Sequence, residues 1–241
     1  MKGWRARIGF MVPPGNPTVE PEMYGMAPRG VSLHFTRMSA SGAAGTHEGQ
    51  DERNRSQIES FDSCMELLSM VSPNVVVMAH TATSYTLGSA AEAELVARIE
   101  KQWNIPFVTA FGSVMAAFAK LGIKRIAYAT PYGEATTLQG VEHLRRHEID
   151  VVNYGRLADV RNIYEENDER AYAVARQVDT PEADAVFLSG VGMPTLEVLE
   201  LLEQDLRKPV ISAASAMMWN ALRVSGIGEP VQGYGRLLRA V

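Results

Sequence analysis

The chain repeats itself. Arg7-Ile8-Gly9-Phe10-Met11-Val12-Pro13 returns as Arg125-Ile126-Ala127-Tyr128-Ala129-Thr130-Pro131, and Leu33-His34-Phe35-Thr36-Arg37-Met38 as Val152-Asn153-Tyr154-Gly155-Arg156-Leu157. Asn74-Val75-Val76-Val77-Met78-Ala79 returns as Asp184-Ala185-Val186-Phe187-Leu188-Ser189, and Pro106-Phe107-Val108-Thr109-Ala110 as Pro209-Val210-Ile211-Ser212-Ala213. Each match alone is weak, because β-branched runs look alike. Four in one order, at slowly shrinking separations, divide the chain into two homologous halves.

Each repeated block is a short apolar run bounded by Pro, Gly, Ser or Asn. That pattern fits a strand buried on both faces, as in a parallel sheet. Helical spacing fills the intervals. Ile58, Phe61, Met65 and Leu68 form one stripe, Ala171, Val174, Ala175 and Val178 another, and Leu199, Leu202 and Leu206 a third. Ser89-Ala90-Ala91-Glu92 has the form of a capping box ahead of Leu95, Val96 and Ile99. Alternating strand and helix predicts an α/β fold: two pseudo-symmetric open parallel-sheet βαβ lobes with a cleft between them. A closing helix over 213–223 is grouped with the first half. One lobe is then residues 1–112 plus roughly 213–241, and the other is 113–212. The stretch Ser39–Asp51, rich in small residues, reads as a flexible loop, either a lid or plain surface.

Charge and cysteine content exclude several function classes. The net charge of −5 gives nucleic acid no electrostatic footprint and disfavours an anionic membrane surface. No stretch approaches the ~20 apolar residues of a membrane span. The one cysteine, Cys64, cannot form an internal disulfide and rules out zinc sites built on paired cysteines. The first apolar run, Ile8 to Val12, is shorter than the core of a secretory signal. A cytoplasmic location is the expectation.

In open parallel sheets, ligands bind beyond the carboxyl ends of the strands. The informative residues therefore follow the predicted strands: Pro13 to Thr18, His80 to Tyr85, Pro131 to Gly133, and Gly190 to Met193. These sets are rich in hydroxyls, glycines and amides, and they lead into helix N-termini, which favour anions. No phosphate-loop glycine pattern is present, so a carboxylate fits better than a nucleotide.

The segment Pro13-Pro14-Gly15-Asn16-Pro17-Thr18-Val19-Glu20-Pro21-Glu22 resembles the opening motif of maleate isomerases. Over nearly its full length the chain resembles the aspartate/glutamate racemase superfamily, in its maleate isomerase and arylmalonate decarboxylase branch. Ala129-Thr130-Pro131-Tyr132, Leu188-Ser189-Gly190-Val191-Gly192 and Gly233-Tyr234-Gly235-Arg236-Leu237 support the likeness. The resemblance implies a cofactor-free site between the halves, acting on small carboxylic acids. It also implies one cysteine after the third strand and another after the seventh. Here those positions are His80 and Gly190.

An imidazole at position 80 suits proton transfer, since its unperturbed pKa lies near 6.5; the structural alternative is a histidine capping the strand. Gly190 cannot move a proton. It either makes room for substrate or brings backbone N–H groups toward an oxyanion. Two-base racemisation needs a group on each face of the carbon, so a one-sided reaction is expected. His80 and Tyr132 are the expected catalytic groups. Pro14, Asn16, Thr81, Thr83, Tyr85, Gly190, Val191 and Gly192 are the expected substrate-binding set. Asn16 and Tyr132 match family residues that hold a substrate carboxylate; the alternatives are an Asx turn and a packed aromatic. Ser189 reads as a locally bonded strand-end hydroxyl, and Cys64 as a small core residue. His143 and His147 have metal-capable spacing but sit among charges, which reads as a solvated helix face. Glu20 and Glu22 read as dipole partners of a helix start. No metal and no cofactor are expected.

The reading is a cofactor-independent enzyme acting on a small carboxylic or dicarboxylic acid. The chemistry is of decarboxylase/lyase or cis-trans isomerase type, without a catalytic cysteine. Two alternatives stand beside it: a C–N hydrolase using a His-activated water, and a non-catalytic carboxylate-binding protein. The only expected partner besides the substrate is a second copy of the chain, in a homo-oligomer.

Overall fold

A computed structural model describes residues 2–240. Strands β1 (Ala6–Val12), β2 (Val31–Arg37), β3 (Val75–Met78) and β4 (Phe107–Thr109) form one parallel sheet in the order β2-β1-β3-β4. Strands β5 (Arg125–Thr130), β6 (Asp150–Arg156), β7 (Ala185–Leu188) and β8 (Val210–Ser212) form a second in the order β6-β5-β7-β8. Each repeated block falls on a corresponding pair of strands, and the two sheets share one topology. Every residue of β3 and β7 is buried, as strands covered on both faces require.

The helices are α1 (Val19–Met26), α2 (Gln50–Glu59), α3 (Phe61–Ser69), α4 (Thr81–Leu87), α5 (Ser89–Trp103) and α6 (Ala110–Leu121) in the first half of the chain. The rest are α7 (Glu134–Arg146), α8 (Asp168–Val178), α9 (Leu199–Leu206), α10 (Ala213–Val224) and α11 (Gly235–Arg239). α8 buries the predicted face of Ala171, Val174, Ala175 and Val178, and Asn167 caps it by accepting from the Arg170 N–H. α10 is buried almost all round and begins with a reciprocal cap between Ser212 and Ser215. It packs against α6, against α1 and β3, and against β8. α6 runs through position 112 and touches both β4 and β8, so these two helices join the sheets. One continuous apolar core spans both halves, and a second lies between the first sheet and α3 and α5.

Four local expectations are corrected. The stripe at 58–68 belongs to two helices, broken at Ser60. The loop after β2 ends earlier, since Gln50 and Asp51 are already helical. Ser89 is not a cap: Gly88 precedes α5 without a side-chain bond, and Glu92 instead accepts from the Ser84 hydroxyl at 2.6 Å. His143 is no solvated residue. It is 3% exposed and packs on Phe111 and Tyr85. α4 and α6 cover that face of α7, and burial pushes the imidazole down to about 4.

Candidate active site

Four strand ends, two from each sheet, supply the walls of one cavity. Pro14 and Asn16 follow β1, His80 follows β3, Tyr132 follows β5, and Val191 and Gly192 follow β7. The segment 39–49 crosses over them as a strap, contributing Ala40, Gly42, Ala44 and Gly45. α2 adds Gln50, Arg53 and Gln57, and the turn at Ile163 and Tyr164 closes the second half. The strap is tied to that half twice: His47 Nε2 donates to the Pro131 carbonyl at 2.9 Å, and the Ile163 N–H donates to the Gly45 carbonyl at 2.8 Å. The cavity volume is about 30 Å³.

His80 is 6% exposed and stands at the N-terminus of α4. Its Nδ1 lies 2.8 Å from Thr83 Oγ1. Either atom of this pair can donate; the Thr83 hydroxyl has no other acceptor among the described residues, so the assignment that satisfies it has its O–H donating to Nδ1. That assignment puts the ring proton on Nε2, which has no hydrogen-bond partner in the protein among the described residues. Burial, and then the Arg53 charge, push the imidazole down to about 4. At neutral pH it is an uncharged ring offering an N–H.

Tyr132 is buried, and desolvation holds its phenol well above the ordinary range. Its Oη is 3.0 Å from Thr81 Oγ1. Thr81 in turn lies 3.4 Å from Ser189 Oγ, which is 2.9 Å from Tyr85 Oη, which is 3.4 Å from Tyr128 Oη. With each hydroxyl donating once, from Tyr128 through Tyr85, Ser189 and Thr81, the chain ends on Tyr132 as an acceptor. The Tyr132 proton is then left for the cavity.

Asn16 carries two loads. Its Oδ1 accepts from the N–H groups of Thr18 and Val19, forming the turn that opens α1, and its Nδ2 donates to the Val191 carbonyl. That bond ties the two halves together and leaves one amide proton free. The N–H groups of Val191 and Gly192 have no acceptor among the described residues. The structure thus gathers Pro14, Asn16, His80, Tyr132, Val191 and Gly192 around the cavity. Thr81, Thr83, Tyr85 and Gly190 lie behind it, Thr83 against His80 and the others along the hydroxyl chain or its wall. Gly190 has φ +94°, and a Cβ there would meet the Pro131 ring at 2.8 Å, so Pro131 already fills the space a side chain would take.

Two site features escaped sequence reasoning. α2 was not anticipated, because its buried face (Arg53, Asn54, Gln57) is polar and gives no apolar stripe. The spacing of these amides and the guanidinium, at 50, 53, 54 and 57, was the available signal. Glu22 is more than a partner of a helix dipole. Its Oε1 accepts from the N–H groups of Thr195 and Leu196 in the second half, at 2.5 and 2.7 Å, and burial raises its carboxyl to about 7. Cys64 stays in the outer core of the first sheet, with its thiol raised by burial, and does not line the cavity. Among the described residues, no three His, Cys, Asp or Glu side chains cluster to hold a metal, and no helix is long and apolar enough to cross a membrane.

Comparison with known proteins agrees with this architecture. A maleate isomerase of Nocardia farcinica is 31% identical over 97% of this chain and 95% of its own length. The arylmalonate decarboxylase of Bordetella bronchiseptica is 27% identical over 95% of both. The crystal structure of a maleate isomerase from Pseudomonas putida S16 with maleate superimposes with a TM-score of 0.89 at 26% identity, covering 98% of each chain. The sequence model of the arylmalonate decarboxylase family matches residues 8–238, so the chain belongs to that family.

Proposed function

We propose that this protein is a cofactor-independent enzyme that protonates carbon on one face of a small carboxylic or dicarboxylic acid, with decarboxylation ahead of cis-trans isomerisation. One observation carries the reading. A buried, uncharged imidazole with an unpaired Nε2 lines a cavity beside Tyr132, Asn16 and the free N–H groups of Val191 and Gly192. Isomerisation through a covalent adduct needs a nucleophile, and the Cys64 thiol does not reach the cavity. A ring that holds its proton on Nε2 is a donor there, not a nucleophile.

In the proposed reaction the substrate carboxylate accepts from Tyr132 Oη, Asn16 Nδ2 and the N–H groups of Val191 and Gly192. The bond from the α-carbon to the second carboxylate breaks, and carbon dioxide leaves. Its electron pair passes to the retained carboxyl group as an enediolate, which those same donors stabilise. His80 Nε2 delivers its proton to the α-carbon and regains one from solvent. A neutral imidazole near a helix N-terminus is known elsewhere as an electrophile of this kind. Gly190 offers no group on the opposite face, which fits one-sided delivery. The test is incubation with phenylmalonate, α-methylphenylmalonate and maleate, followed by NMR. Carbon dioxide loss from the malonates, giving one enantiomer of 2-phenylpropionate, supports the reading. Ligand-induced thermal stabilisation without any product contradicts it.

A further inference from the structure

One face of α1 carries the loop that follows β7. Asn16 Nδ2 donates to the Val191 carbonyl at 3.1 Å, and Thr18 Oγ1 donates to the Gly192 carbonyl at 3.2 Å. One turn on, Glu22 Oε1 accepts from the N–H groups of Thr195 and Leu196 and from Thr195 Oγ1. At Gly25 the approach is so close that a Cβ would meet Leu196 Cδ2 at 2.7 Å. Positions 18, 22 and 25 follow the spacing i, i+4, i+7 and so share that face. Glu22 is 6% exposed, no Lys or Arg pairs with it among the described residues, and Asp168 repels its charge. Its Oε2 is buried without a partner among the described residues. A buried carboxylate without a counter-ion lowers stability, and departures of this kind concentrate where function requires them.

The bonds along this face set the direction of two free N–H groups. A carbonyl and the N–H of the next residue lie on opposite sides of a trans peptide, so fixing one aims the other. Asn16 holds the Val191 carbonyl and thereby aims the Gly192 N–H. Thr18 holds the Gly192 carbonyl and thereby aims the Met193 N–H, which donates to the Gly190 carbonyl at 3.3 Å. That bond in turn aims the Val191 N–H. Only Pro194, with its fixed φ, separates Met193 from Thr195, so the Glu22 clasp anchors the far end of the same loop. We propose that Thr18 and Glu22 are positioning residues for the reaction, holding the Val191 and Gly192 N–H groups in the arrangement that stabilises the enediolate. The proposal rests on the reading of those N–H groups as carboxylate and enediolate donors. Neither side chain lines the cavity, so each acts through the loop.

Turnover of α-methylphenylmalonate tests this, with kcat and product enantiomeric excess read together, because the excess does not depend on how much of the protein is folded. E22L removes the acceptor and should lower kcat about tenfold or more, a fraction of what losing a whole oxyanion donor costs. It should also lower the enantiomeric excess, as the loosened enediolate turns away from His80. E22Q keeps an oxygen for both N–H groups and should hold kcat within about threefold, with the wild-type excess. T18V is nearly isosteric and should lower kcat and excess in the same direction as E22L; it decides alone if E22L does not fold. Wild-type kcat and excess in E22L and T18V overturn the proposal, as does a loss of kcat with unchanged excess, or an E22Q protein as impaired as E22L. A wild-type chain that forms no product overturns the proposed activity, and calorimetry with phenylacetate then decides the positioning role. E22L should bind this monocarboxylate about threefold or more weakly than wild type and E22Q, a smaller effect than on kcat because a carboxylate draws less on the donors than an enediolate. Equal binding by all three overturns the positioning role, and no binding by the wild-type chain overturns both readings.

Discussion

Replacing His80 by asparagine isolates the protonation behaviour on which the chemistry depends. The amide keeps an acceptor near the position of Nδ1 for Thr83 but cannot titrate. In the folded chain the imidazole is pushed from an ordinary 6.5 down to about 4, first by burial and then by Arg53. In the unfolded chain it titrates near 6.5. Between those values the unfolded state binds the additional proton, so stability rises with pH. The contribution is complete above pH 6.5 and is lost as pH falls toward 4. The displacement corresponds to about 3 kcal/mol. Urea unfolding of wild type and H80N, from pH 4 to pH 8, should give free-energy differences that shift by that amount across this window. Buried His143 is held down in the same way, but it is common to both proteins and cancels. Nitrogen-15 spectra of histidine-labelled protein at pH 7 should show a neutral ring protonated on Nε2. A pH-independent stability difference, or an imidazolium signal at pH 6, refutes the picture of a desolvated neutral donor.

Three further outcomes follow from the same contacts. Glu22 has its carboxyl raised to about 7, so the stability it confers is present below its unfolded value and lost as pH rises through 7. E22Q should therefore gain about 3 kcal/mol on wild type between pH 4.5 and pH 7.5 in urea titrations, and a constant difference would contradict this. T83V removes the donor to Nδ1. It should lower kcat about tenfold or more with KM within about twofold, and shift the ring proton off Nε2 in nitrogen-15 spectra. G190A meets both a positive φ and the Pro131 ring. It should cost about 1–3 kcal/mol or more, visible as a lowered Tm; an unchanged Tm would show that Pro131 yields freely.

The inner strands were legible in the sequence because they are buried on both faces, whereas the edge strands β2 and β6 are largely half-buried or exposed and were read only through the repeat. Val75–Met78 and Ala185–Leu188 have no polar position to blur the pattern. The strand ends were legible for the same reason, and among the residues that follow them the resemblance to maleate isomerases singled out His80, Tyr132 and Asn16. What escaped depends on distant chain segments. Glu22 looks like a helix-start acid until the Thr195 and Leu196 N–H groups arrive from the other half. His143 looks solvated among Glu142, Arg145 and Arg146 until Phe111 covers it. α2 inverts the usual rule by burying its polar face against a polar cavity, so Arg53 and Gln57 carry no hydrophobic period. The Ser89–Glu92 spacing misled because the better donor for Glu92 was Ser84, in the preceding helix.

The account depends most on the imidazole of His80 as the proton donor. Steady-state decarboxylation of α-methylphenylmalonate by wild type and by H80N, at pH 7.5 with folding checked by circular dichroism, tests it directly. The account predicts loss of about a hundredfold or more in kcat for H80N and one dominant product enantiomer from wild type. An H80N protein that turns over at the wild-type rate, with the same enantiomer in excess, contradicts it.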